Sequence, residues 1–273
     1  MPHRSITGLI LLAAPLLATE PAAAPNPWDM TAFGLFKDAH ILFSEQPDAD
    51  RESRFGEAVT LINLQPKTES NLDRAAAIFT EIAAASPPDE LGVNARYFLA
   101  RIEQIHRVKP DTSTALALYR ELAALDSDHP LAQRAVVQLA LLELFEPGQP
   151  ASEVRARFER LAARGVTLTD PSAIRDFNLV LGDAALRFDL GDTLALDHLL
   201  AADRAGIARA ITQRDTWLRI AELARRTRRD DVAATYYQRF LENFPRDTRQ
   251  LMLKERLAEL AGRKPIPADT PAR

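Results

Sequence analysis

The chain contains no cysteine, which excludes a disulfide framework, thiolate zinc sites and a thiol nucleophile. A lipid anchor on cysteine is not expected either, and the absence fits either redox compartment. Glycine is scarce, at 10 residues in 273, and few runs alternate apolar and polar side chains, which argues against a sheet protein. No sign of charge dominates. The 34 basic and 38 acidic residues leave a net charge of −4, which predicts no nucleic-acid partner. The sequence also lacks G-x-S-x-G, a phosphate loop and G-x-G-x-x-G. The five histidines, His3, His40, His106, His129 and His198, offer no pair at the i, i+4 spacing of a helical metal site. Paired carboxylates such as Asp230 and Asp231 read as helix starts, as do Asp111 and Ser152. The chain is therefore expected to have no catalytic residue, no metal and no cofactor, and not to be an enzyme.

A long hydrophobic run is missing as well. The one compact apolar stretch, Ile6 to Ala18, falls short of the roughly 20 residues that span a bilayer. It follows a short segment carrying Arg4 and precedes a small, Pro-rich segment, the order of a secretory signal peptide over residues 1–24. Ala24 satisfies the small-residue rule for cleavage, and a mature start between Thr19 and Asn26 is expected. The protein is thus expected in the periplasm or secreted. The competing reading is an uncleaved tether that holds it at the membrane periphery.

What the sequence does contain is a ruler. Ile62, Ile102, Leu141, Leu181 and Ile220 recur at steps of 40, 39, 40 and 39. Phe79, Tyr119, Phe158, His198 and Tyr237 keep the same beat. Recurrence at this period marks stacked repeats, each a helix pair that cannot bury its apolar face alone. The reading is an all-α fold, an α-solenoid. Residues 25–50 form an N-terminal capping helix, in which Trp28, Phe33 and Phe36 serve core packing. Residues 51–262 hold five repeats and a C-terminal capping helix, and 263–273 are a disordered tail.

The last repeat is the clearest. Trp217, Ile220, Ala221 and Ala224 stand at helical spacing near 215–226, the polar turn Arg225 to Asp230 follows, and Ala233, Tyr237 and Phe240 share one face of a second helix that Pro245 ends. Gly182 supplies the small partner of Leu181 and is expected where paired helices approach most closely. The Val154, Phe158 and Leu161 unit is the most degenerate. The arginines of the turn, Arg225, Arg226, Arg228 and Arg229, read as a solvated helix end rather than an anion site.

The order Trp217, Ile220-Ala221, Ala233, Tyr237, Phe240 and Pro245 resembles the tetratricopeptide repeat. The period, near 39–40 rather than 34, is similar to that of envelope-associated members of the family, among them the outer-membrane barrel-assembly lipoprotein and the Tol–Pal coordinator. The resemblance implies a binding protein whose first helices line a concave face. Carrying over the inward register gives Leu64, Gln104, Glu143, Asp183 and Glu222, with Tyr97, Asp176 and Asp215 near the helix starts on a similar face. The predicted partner-binding residues are accordingly Tyr97, Gln104, Glu143, Asp183 and Glu222. Three successive carboxylates would form an acidic track for a basic protein or peptide, unless Arg187 and Arg219 neutralise them or the face is merely solvated. The subclass that grips a chaperone's carboxylate tail uses Lys and Asn where this chain has Leu218 and Glu222, so that ligand is not expected. The resemblance implies a scaffold or adaptor of the bacterial cell envelope, or an accessory subunit of an envelope enzyme or outer-membrane assembly complex.

Overall fold

A computed structural model describes residues 25–46, 49–85, 87–125, 128–145, 150–165 and 167–262. The expected signal peptide, 1–24, and tail, 263–273, lie outside the described residues. Among the described residues every regular element is a helix. Two short helices, α1 (Pro27–Ala32) and α2 (Phe36–Ser44), occupy the region where one capping helix was expected. Five helix pairs follow. They are α3 (Arg51–Asn63) with α4 (Glu69–Ala83), α5 (Glu90–Arg101) with α6 (Thr112–Ala123), and α7 (Pro130–Leu144) with α8 (Ala151–Gly165). The last two are α9 (Pro171–Arg187) with α10 (Asp192–Ala205), and α11 (Ala210–Arg226) with α12 (Asp230–Asn243). A final helix, α13 (Gln250–Ala261), packs on α12.

Local chemistry sets the helix starts. Asp50, Thr68, Asp89, Asp111 and Asp170 each accept a hydrogen bond from the backbone N–H three residues on, meeting a donor that the first turn leaves unpaired. Pro130 and Pro171 open α7 and α9, where the missing N–H costs nothing. Gly191 and Gly206, at φ 128° and 94°, bracket α10 in backbone that L side chains rarely adopt. At the end of α5 the ladder slips into a π turn over Ile102–His106, so that first helix runs unbroken to His106.

The fold is an all-α, solenoid-like stack in which each helix packs chiefly on its chain neighbours. The aromatic series forms its interior. Phe79, Tyr119, Phe158 and Tyr237 are buried, and His198, half-buried, packs edge-on against Phe158 at 5.4 Å. In the large-residue series Ile62, Ile102, Leu181 and Ile220 are buried, but Leu141 is 37% exposed and Ala140 takes the interior place. Gly182 does sit at a close approach, since a Cβ there would lie 2.7 Å from Leu199 Cδ2 of the paired helix. At the N-terminal end Trp28 packs on Phe43 and Phe55, 5.1 and 6.4 Å between ring centroids. Phe33 does not join this core. It is 83% exposed, because α1 ends there and Gly34, at φ 77°, turns the chain away.

Polar staples join successive repeats. The Asp203 carboxylate, on α10, accepts from Trp217 Nε1 (2.6 Å), the Tyr236 hydroxyl (2.7 Å) and Arg239 Nη1 (2.9 Å), tying the fourth pair to both helices of the fifth. Arg107 gathers Glu69, Asp73 and Glu103, and those three pairings lift its pKa further above the ordinary arginine value. Two arginines of the expected solvated turn serve the same purpose, Arg226 with Asp192 and Arg229 with Asp197.

Candidate functional site

The stacking itself defines an inner face. Among the described residues the first helices pack in succession from α3 to α9, α3 on α5, α5 on α7 and α7 on α9; α9 and α11 do not pack closely, and neither do any two second helices. A stack tied along one side and splayed along the other is concave on the tied side. From α3 to α9 the first helices therefore line the inside.

An open cleft lies there, toward the ends of three consecutive first helices. It encloses about 590 Å³ and is lined by Leu141 of α7 and Phe145 just beyond its end, by Val180, Asp183, Leu186 and Arg187 of α9, and by Arg219 of α11. A second cleft, about 410 Å³, lies toward the starts of the same helices and is lined in part by Arg134, Arg175, Leu179, Arg209 and Thr212. Arg134 and Leu141 are seven residues apart on α7, and Thr212 and Arg219 are seven apart on α11, two helical turns in each case. The two clefts thus follow the same helix faces and form one groove. Its floor is apolar at Leu141, Leu179, Val180 and Leu186, and its charges stand at the margins. No protein-family model and no curated protein matches the chain.

Of the five residues expected to bind a partner, one lines this groove. Asp183 does so, but its carboxylate accepts from Arg219 Nη1 at 2.5 Å. Glu143 lies off the cleft, where Arg120 of α6 and Arg160 of α8 reach its carboxylate at 2.8 and 3.8 Å. Glu222 accepts the Tyr237 hydroxyl at 2.6 Å and pairs with Arg225 at 3.0 Å. Gln104 accepts the Tyr119 hydroxyl at 2.7 Å and donates to Gln138 Oε1 at 2.9 Å. Tyr97 is buried beside Tyr119, 5.9 Å between ring centroids, and burial pushes its hydroxyl pKa up. Each carboxylate of the expected acidic track is thus met by arginine. Of the two acids near the helix starts, Asp176 pairs with Arg175 at 2.8 Å, and Asp215 with Arg214 at 3.0 Å and Arg249 at 3.7 Å.

Sequence reasoning missed the apolar floor. Leu141 stood in the interior series, and Val180 and Leu186 carried no motif. The available signal was that Leu141 and Phe145 share a stripe with Arg134 and Gln138 on α7, an apolar end and a polar start on one face. Among the described residues no group of three or more His, Asp or Glu side chains is placed to hold a metal ion, and no helix is long and apolar enough to cross a membrane.

Proposed function

We propose that the chain is a tetratricopeptide-like repeat protein acting as a non-enzymatic scaffold or adaptor, which holds a protein or peptide partner in the groove of α7, α9 and α11. The observation that carries this reading is the groove's construction. Three consecutive first helices leave an open cleft whose floor exposes leucine and valine to water, while among the described residues no second helix carries an exposed large apolar side chain. Concave, mostly apolar surfaces with a few placed polar groups are where proteins bind ligands. Placement in the bacterial envelope rests on residues 1–24.

The test is capture of partners from envelope extracts with the wild type, with Leu141→Asp and with Leu251→Asp, which alters an exposed leucine on α13. Loss of a partner with Leu141→Asp but not with Leu251→Asp supports the groove. Equal capture by all three rejects it. The identity of the captured protein separates a free-standing adaptor from an accessory subunit of an envelope enzyme.

A further inference from the structure

Resting on the reading of this groove as a peptide site, we infer that its occupant is an acidic segment: an extended stretch rich in Asp and Glu that carries one aliphatic or aromatic anchor. The charges along the groove decide this. The acids on its lining already have partners, Asp183 with Arg219 and Asp176 with Arg175. The arginines outnumber them. Among the described residues no carboxylate pairs with Arg134, Arg187 or Arg209, one on each of α7 and α9 and one at the start of α11. Three unpaired cations in one groove of a protein with net charge −4 are a local excess, not a reflection of composition.

Arg187 is also held in place. Its guanidinium lies 5.7 Å from the Phe145 ring centroid and 5.9 Å from that of Phe188. Two aromatic faces fix a cation without neutralising it, and leave its N–H groups free for a planar carboxylate. The same Phe145 borders the apolar floor with Leu141, Val180 and Leu186. An apolar side chain seated there would bring a neighbouring Asp or Glu to Arg187, and lengthening the segment toward the helix starts would bring a second acid to Arg134 and Arg209. Along α9 the distance from Arg175 to Arg187 is about 18 Å at 1.5 Å per residue. An extended chain covers it in about six residues. A basic segment would meet three unpaired guanidinium groups and find no free carboxylate on this lining.

The experiment selects binders to the full-length protein from a displayed library of randomised twelve-residue segments, then titrates synthetic copies of the winners at low and high salt. Anionic lipid vesicles form a separate arm. The expected pool is rich in Asp and Glu, poor in Lys and Arg, and shares one aliphatic or aromatic position. Affinity should fall severalfold with salt, by up to about fivefold for Arg187→Ala, and beyond detection for the triple variant Arg134→Glu, Arg187→Glu, Arg209→Glu, with circular dichroism showing that each variant is folded. Leu141→Asp should abolish binding of every selected peptide. A pool rich in Lys and Arg, or affinity unchanged in the triple variant, overturns the acidic class while leaving a peptide groove in place. Vesicle binding lost in the triple variant, with no peptide selected, overturns it in favour of a membrane surface. A pool that binds Leu141→Asp as well as wild type, or no enrichment together with no vesicle binding, removes the groove reading itself.

Discussion

The hydroxyl of Tyr237 donates to Glu222 Oε1 at 2.6 Å. Three repeats earlier the equivalent pair makes the same bond, Tyr119 to Gln104 Oε1 at 2.7 Å. In both, the aromatic that fills the repeat interior also satisfies a polar group on the paired first helix, fifteen residues upstream. Burial, and after it the bond to Glu222, pushes the Tyr237 hydroxyl above the ordinary phenol range, so it remains a donor. Removing the donor should cost more where the acceptor is charged. Urea unfolding should show Tyr237→Phe losing about 1.5–3 kcal/mol and Tyr119→Phe about 0.5–1.5 kcal/mol. Equal losses would mean that the charge on Glu222 adds nothing to its bond.

Gly182 has less room than its exposed counterparts. A Cβ would lie 2.7 Å from Leu199 Cδ2 and 2.9 Å from its Cγ, and Leu199 is fully buried. Gly182→Leu should destabilise by about 1–3 kcal/mol or more through overpacking. Gly182→Ala should retain part of that loss, because the gain in helix propensity, about 1 kcal/mol, opposes the clash. Gly262→Ala is the control, since its Cβ would meet nothing closer than 3.7 Å. Thermal melts in which Gly182→Leu matches wild type would refute the close contact.

Asp203 gathers two donors from aromatic side chains and one from arginine, and its side chain is 7% exposed. Asp203→Ala should destabilise by about 1–3 kcal/mol for each buried donor left unmade. The indole of Trp217 reports directly, and its emission should change in the folded variant. A variant with wild-type stability and emission would show that water replaces the carboxylate without loss.

His106 should impose a pH dependence. Burial first, then the charges of Lys67 and Arg101, lowers its pKa from 6.5 to about 4, and Lys67 Nζ stands 2.8 Å from Nδ1. Between those two values the unfolded chain takes up a proton that the folded protein refuses, so stability falls as pH drops through that window. His40 and His198, whose pKa values burial also lowers, act in the same direction from pH 6.5 downward, but equally in a variant. His106→Gln keeps an acceptor for Lys67 and should flatten the stability profile between about pH 6.5 and 4 relative to wild type. Parallel profiles would remove His106 from this role.

The repeat interior was legible in the sequence because burial of large side chains recurs with the repeat. Ile62, Ile102, Leu181 and Ile220 are inside for that reason. Leu141 misled because the helix turned its neighbour inward instead. Ala140 is fully buried, and a small residue carries no signal in a series of large ones. The π turn at Ile102–His106 continues an ordinary helix, Glu90–Arg101, and no proline or glycine within the turn marks the change. The acids at Glu143, Asp183 and Glu222 were visible as residue types, but their partners were not. Arg219 reaches Asp183 across 36 residues, and Arg120 reaches Glu143 from the preceding pair, distances over which a sequence records charge but not pairing.

Contacts that run mainly between chain neighbours also decide how the molecule bears load. In a barrel or sandwich the terminal strands are often clamped together, and pulling them apart breaks one shared interface. Here α2 and α13 are separated by the whole stack, so tension applied at the ends passes through the interfaces in series. Each staple then fails in its own turn, and the chain pays out one helix pair at a time. Stretched between two anchors, the protein would act as a graded extensible strut, lengthening in repeat-sized steps before it yields completely.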